Sequence, residues 1–250
     1  MTHSQRDDWP AASALGLSQL IHHAAVASTM DEVHRLAASG APAGLLVVAD
    51  QQTNGRGRAG RTWSSRPGDG VWMTLLERPS DSAASGVLAL RLGLGIARAL
   101  QPLVDGEVRL KWPNDVYVDD GKIAGILVEA RWRDAALDWV AIGVGLNMRV
   151  PSDFERARAV RHGVTRRTLL QAVVPAMRDA SKQLGVLTQR ELMEWRARDL
   201  ARDRHVTQPT LGIARGIAVD GALLVQEGTS DALTSIRAGS LVFAAELGDT

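Results

Sequence analysis

The chain has 250 residues, 45% hydrophobic and 23% charged, with a formal net charge of +1. That length holds one large domain, or a medium domain with a small appendage, and the composition is that of an ordinary globular protein. The near-zero charge argues against a dedicated nucleic-acid binder, and the absence of cysteine removes thiolate nucleophiles, disulfides and zinc–thiolate sites and fits a reducing cytoplasm. No apolar run approaches the ~20 residues needed to cross a bilayer.

In chain order, residues 1–14 are polar or small and expected to be poorly ordered, and Met1 to Trp9 lacks the basic-then-apolar pattern of a signal peptide. Ala24-Ala25-Val26-Ala27 predicts a short strand. A helix follows over 28–39 and stops at Gly40; Ser28 with Asp31, or Thr29 with Glu32, has capping-box spacing. Residues 44–50 are short, apolar and β-branched, as a buried strand is.

Directly after comes Gln52-Thr53-Asn54-Gly55-Arg56-Gly57-Arg58-Ala59-Gly60-Arg61-Thr62-Trp63. A glycine-rich loop leaving a strand end can turn its backbone N–H groups toward an anion. The arginines add planar donors suited to phosphate or carboxylate. Taken alone, the stretch leaves an anion-binding loop, a solvated basic turn and a nucleic-acid contact open.

Residues 70–76 predict a strand and 85–100 a core helix, ended by Pro102 and Gly106. Strands follow at 108–112, 116–118 and 123–132, the last two joined by the hairpin turn Asp119-Asp120-Gly121. A further strand over 138–148 carries Gly143-Val144-Gly145-Leu146-Asn147, whose glycines suggest a close approach to the backbone. Residues 149–164 predict a loop, and 165–184 a helix with Pro175 as a kink and Gly185 as its stop. A second helix over 188–200 opens with a Thr188/Glu191 capping box. Short β-segments at 211–219, 223–226, 233–237 and 241–244 then predict a small β-barrel-like module. The expected division is a catalytic unit over 1–200 and a module over 201–250.

Three more segments stand beside the arginine–glycine loop. Lys111-Trp112-Pro113-Asn114-Asp115 puts a cation and a carboxylate four residues apart across a proline-fixed turn. Lys122 begins an apolar strand that contains Gly125, and Asn147 ends another. Singly, each has a structural explanation as edge solubiliser, turn former or cap. Together they suit a nucleotide and Mg²⁺.

Gly55-Arg56-Gly57-Arg58-x-Gly60-Arg61-x-Trp63, Lys111-Trp112-Pro113-Asn114-Asp115, Lys122-x-Ala124-Gly125-Ile126-Leu127-x-Glu129 and Gly143-x-Gly145-x-Asn147 closely resemble, in order and separation, the motifs of biotin–protein ligases. The resemblance implies an α/β (α+β) fold: a central mixed β-sheet flanked by helices, of the class II synthetase and biotin–lipoate ligase kind, with a small SH3-like C-terminal β-module. It also implies an enzyme that joins biotin to the α-phosphate of ATP, then passes the biotinyl group from biotinyl-5′-AMP to a lysine of a biotin carboxyl carrier protein. Catalysis then falls to Arg56, Arg58, Lys111, Asp115 and Lys122. Ser28, Thr29, Met30, Gln52, Arg56, Gly57, Arg58, Lys122 and Gly125 hold biotin. Gly55, Arg56, Arg58, Trp63, Lys111, Asn114, Asp115, Lys122 and Asn147 hold ATP or the adenylate, and Asp115 also takes Mg²⁺.

Three departures accompany the resemblance. Met30 stands where the family usually has asparagine, Phe154 is the only aromatic in 149–164 where many relatives place a tryptophan, and the C-terminal module looks abbreviated. The span before residue 24 is too short for a winged helix-turn-helix, so a cytoplasmic ligase that does not bind DNA or membrane is expected, as monomer or homodimer. A lipoate–protein ligase or octanoyl transferase is the alternative within the class, and a nucleic-acid module built on the arginine loop the alternative outside it.

Overall fold

The structure is a computed structural model and describes residues 9–79, 81–151, 154, 156–228 and 232–244. Up to residue 198 the helices and strands run β1 (Gln19–His23), α1 (Thr29–Ala38), β2 (Leu45–Ala49), β3 (Gly70–Glu77), α2 (Leu88–Leu100), β4 (Val108–Lys111), β5 (Asp115–Val118), β6 (Gly121–Arg133), β7 (Ala136–Asn147), α3 (Arg166–Ser181) and α4 (Gln189–Arg198). The strands form one sheet in the order β1-β2-β3-β7-β6-β5-β4. The β1–β2 pair is parallel and the remaining pairs are antiparallel.

All residues of β2 and β3 are buried; β2 reads as an unbroken apolar run, and β3 is apolar apart from Thr74 and Glu77. Strand alternation divides β2 between two cores. Leu46 and Val48 face the main core with α2 and α3, whereas Leu45 and Val47 face a smaller one with Met30, Val33 and Ala37 of α1. α2 is covered nearly all round, and its Arg91 is buried because Glu191 and the carbonyls of Gly185 and Val186 take its donors.

Two N-terminal expectations are corrected. Over residues 9–14 the chain is placed: Trp9 packs on His22, Pro10 is buried and a 3-10 turn spans Ala12–Leu15; residues 1–8 lie outside the described residues. The first strand is Gln19–His23, not 24–27, where only Val26 bridges to Gln52. As an edge strand β1 is half exposed, so it needs no apolar run and its histidines are tolerated. In α1 Ser28 alone caps, accepting from the Met30 N–H at 3.3 Å. The capping box of α4 forms in full between Thr188 and Glu191, and α3 continues through Pro175.

A second, antiparallel sheet contains β8 (His205–Gln208), β9 (Gly212–Ile217), β10 (Leu223–Gln226), β11 (Leu233–Ile236) and β12 (Val242–Phe243), ordered β11-β10-β9-β8-β12. β8 carries one buried residue, Val206, and gave too little apolar pattern to be foreseen. Val206, Leu223, Val225 and Phe243 join the main core, so the second sheet packs on the first.

Asp199, at the end of α4 beside Leu110 of β4, is 3% exposed. Burial pushes its carboxyl up to about 6, against the opposing pull of the Ala201 N–H, Trp195 and nearby arginines. The native protein therefore binds this proton more tightly than the unfolded chain, so the contribution to stability is present at low pH and is lost as pH rises through about 6. Urea unfolding should lose on the order of 1 kcal/mol from this residue between about pH 5 and 7.5. Asp199→Asn should flatten that interval, and an equally steep profile in the variant would assign the slope to another group.

Candidate active site

A cavity of about 740 Å³ opens over the face of the sheet formed by β3, β7, β6 and β5, within the size range of small-molecule sites. Its floor is set by a cross-strand pair of glycines, Gly125 of β6 opposite Gly145 of β7. The Trp63 indole lies flat on that pair: a Cβ on Gly125 would come within 2.6 Å of the ring, and one on Gly145 within 2.5 Å. Trp63 meets Trp72 edge to face with centroids 6.5 Å apart, and its N–H is buried without a hydrogen-bond partner among the described residues. Next to it the methyl of Met30 covers Gly143, where a Cβ would meet it at 2.7 Å.

At the α1 end the lining is polar and neutral. The Thr29 hydroxyl lies 3.0 Å from Gln52 Oε1 and 2.8 Å from the hydroxyl of Thr74. Gln52 Nε2 donates to Ser65 Oγ at 2.9 Å. These interlocked groups orient one another, and Thr74 and Ser65, central to the network, carried no sequence signal beyond their place near a strand.

Toward β5 and β6, Arg58 and Lys122 line the cavity against one carboxylate, Asp115, with Arg61 and Arg156 also in the lining, while Arg56 lines it from beside α1, where it pairs with Asp31. Lys122 Nζ sits 2.7 Å from Asp115 Oδ1 and 5.0 Å over the Trp63 ring. Arg58 donates to Asn114 Oδ1 at 3.2 Å, while Asn114 Nδ2 donates to the Ile126 carbonyl at 2.6 Å, which fastens the 112–114 turn to β6. Burial, reinforced by Arg61 and opposed by Asp115, lowers the Arg58 pKa, yet a guanidinium remains charged at neutral pH. Such a lining favours a ligand that carries negative charge at this end.

The structure brings together Ser28, Thr29, Met30, Gln52, Arg56, Gly57, Arg58, Trp63, Asn114, Asp115, Lys122, Gly125 and Asn147 on this cavity. Gly55 packs behind it, where a Cβ would lie 2.4 Å from the Trp63 carbonyl. Lys111 does not line it. Lys111 pairs with Asp115 across β4–β5 but stands one strand further out, its ammonium 4.7 Å from the Phe243 ring and 5.7 Å from that of Tyr117. Asn147 uses its amide N–H groups on the carbonyls of Arg158, at 3.0 Å, and Lys122, at 3.4 Å. It thereby holds Arg158, next to the Ala157 that bridges to Lys122, against the strand ends beside the site. Phe154 and Arg156 of that segment also reach the lining.

A mixed sheet with a glycine floor, a neutral polar end and a cationic end suits a small acid brought next to a phosphate. The profile of the Biotin/lipoate A/B protein ligase family matches residues 24–147. The chain is 33% identical over 264 residues to the biotin–[acetyl-CoA-carboxylase] ligase of Mycobacterium tuberculosis, covering 96% of this chain and 94% of that one. It is 39% identical over 137 residues to the bifunctional ligase/repressor BirA of Bacillus subtilis, covering 54% of this chain and 42% of that protein, so it spans less than half of this relative's length. An Aquifex aeolicus biotin protein ligase variant in complex with biotin superposes with a TM-score of 0.73 at 25% identity, over 91% of this chain and 99% of that one. The chain belongs to the biotin/lipoate protein ligase family.

Gly145→Ala should lift Trp63 from the floor. Its tryptophan emission should shift to longer wavelength relative to the parent, and the shift should vanish in a Trp63→Phe background. Equal emission in the first pair would place the indole elsewhere.

Proposed function

We propose that the protein is an ATP-dependent ligase that activates biotin as biotinyl-5′-AMP and transfers it to a lysine of a biotin carboxyl carrier protein. The observation that carries this reading is that one cavity over a glycine floor combines neutral hydrogen-bonding side chains with five cationic ones. Biotin's ureido ring is neutral and must find partners once buried, which Ser28, Thr29 and Gln52 offer. Its carboxylate and the ATP triphosphate repel each other, and positive charge must converge on both before they can meet.

In the first step a biotin carboxylate oxygen bonds to the α-phosphorus while the bond from that phosphorus to the pyrophosphate oxygen breaks. Arg58 and Lys122 stabilise charge on the carboxylate and phosphate, Arg56 holds the anion from the loop, and the Gly57 backbone lies close to it. Trp63 packs beside the intermediate, with Asn114 and Asn147 bracing the adenylate end. Lys111, outside the lining, contributes positive potential from one strand away. In the second step a deprotonated lysine amine attacks the acyl carbon and AMP leaves, so no covalent enzyme intermediate is required.

Asp115 is the only carboxylate in the described lining, so Mg²⁺ fits there only with phosphate oxygens and water completing its shell. When bound, the ion would neutralise phosphate charge. A catalytic unit over 1–200 with an appended module over 201–250 accords with the second sheet starting at His205. A cytoplasmic setting belongs to the same reading; among the described residues no helix is long and apolar enough to cross a membrane.

With Mg²⁺ the protein should catalyse biotin-dependent exchange of labelled pyrophosphate into ATP. Exchange with lipoate and none with biotin would move the assignment to the lipoate branch of the family. Lys122→Ala should lower exchange by about 100-fold or more while changing the unfolding free energy by less than about 1 kcal/mol, as for other partly exposed ion pairs. Full activity in that variant would remove Lys122 from the site.

A further inference from the structure

Arg56 is held by two carboxylates of unequal standing. One terminal nitrogen bonds Asp31 Oδ1, and the other donates to Glu129 Oε1 at 2.6 Å. The second oxygen of Glu129 lies 3.0 Å from His34 Nε2, and the Trp139 indole N–H lies 3.1 Å from His34 Nδ1. An indole nitrogen only donates, so Nδ1 is the acceptor and the ring proton resides on Nε2, from which it is given to Glu129. Glu129 thus accepts one donor on each oxygen. Its anchor is built from three elements: β6 carries Glu129, β7 carries Trp139 and α1 carries His34, and both of those anchoring side chains are largely enclosed. Asp31 differs, with its side chain 50% exposed in the first turn of α1. Released from Arg56, its carboxylate would keep the favourable field of the helix N-terminus.

These two carboxylates take one donor from each terminal nitrogen, so a further anion that approaches the edge shared by those nitrogens competes with them for it. Of the two competitors, the exposed, solvent-screened Asp31 gives way more easily. We propose that Trp139, His34 and Glu129 form a positioning relay that fixes Arg56 at the cavity mouth, and that Asp31 stands in on the guanidinium for the substrate anion until that anion displaces it. The proposal rests on the reading of Arg56 as an anion-binding residue of a ligase. The relay gives the arginine one permanent partner, so the guanidinium keeps its place when Asp31 is displaced. The stand-in keeps the charge satisfied while the site is empty, at the cost of competing with the ligand. None of the three relay residues touches the reacting atoms, and their effect runs through Arg56.

The test is steady-state pyrophosphate exchange with biotin, ATP and Mg²⁺, with KM and kcat resolved. Asp31→Asn should lower KM for biotin or ATP by about threefold, as expected for loss of an exposed competing ion pair, with kcat at or above that of the parent. Glu129→Gln should instead lower kcat by about tenfold or more, with circular dichroism unchanged. His34→Ala should shift kcat in the same direction, and His34→Gln, which restores an N–H donor near Nε2, should recover most of it. Parental KM values in Asp31→Asn would overturn the stand-in, and parental kcat in Glu129→Gln would overturn the relay. If Glu129→Gln fails to fold, equal kcat in the two His34 variants overturns the relay. Absence of exchange in the unmodified protein is a different result, because it defeats the ligase reading itself.

Discussion

Three guanidinium groups on the six residues from Arg56 to Arg61 must coexist before any anion arrives to neutralise them. Like charges this close repel, and a loop that carries them unpaired would splay into solvent. Each is instead tied to a different part of the molecule: Arg56 to Asp31 and Glu129, Arg58 to Asn114, Arg61 to Ser240 in the connection leading into β12. The loop is therefore a junction between α1, β6, the 112–114 turn and the C-terminal sheet, and the shape of the site follows from where those elements are held.

What holds them is the sheet. β6 and β7 pair from Ala124–Leu146 to Arg133–Ala136, a ladder long enough to fix the cavity floor to strand geometry rather than to loop conformation. Because residues directly opposite share a face, Gly125 and Gly145 together leave a strip without side chains. In this structure Trp63 fills the strip, which joins the arginine loop to the floor by apolar contact as well as by charge. The same indole lies beneath the Lys122 ammonium, so moving the loop changes the surroundings of the central cation too.

The architecture was legible wherever local pattern and burial agree. β2, β3, β6 and β7 are buried or paired throughout and announce themselves by apolar runs, and the turns at Asp119–Gly121 and Thr188–Glu191 follow from their residue types. β1 was misplaced because its neighbour Ala24–Ala27 looks more strand-like than Gln19–His23, and the edge position that decides the matter is tertiary. In the site, motif order identified the cationic loop and turn. It did not reveal that Lys111 stands one strand beyond the cavity, since sequence proximity to Asp115 says nothing about how many strands separate it from Lys122. Nor did it reveal Thr74, His34 or Trp139, whose roles exist only once α1 is laid across the sheet.

The position of Lys111 gives the second sheet its bearing on the site. The ring of Phe243 in β12 lies between two cations, Lys111 Nζ at 4.7 Å and Arg204 Cζ at 3.5 Å. A ring face attracts a cation, so the contact with Phe243 restricts where the Lys111 ammonium can move. Its potential is delivered from a fixed distance, and that distance is set by the packing of Val206, Leu223 and Phe243 against the main core. Arg61 bonds Ser240 in the connection that leads into β12. A shift of the C-terminal strands would therefore alter the positive field at both ends of the arginine loop without removing a single residue from the cavity. Hydrophobic packing more than a strand away thus becomes part of the electrostatics of the site.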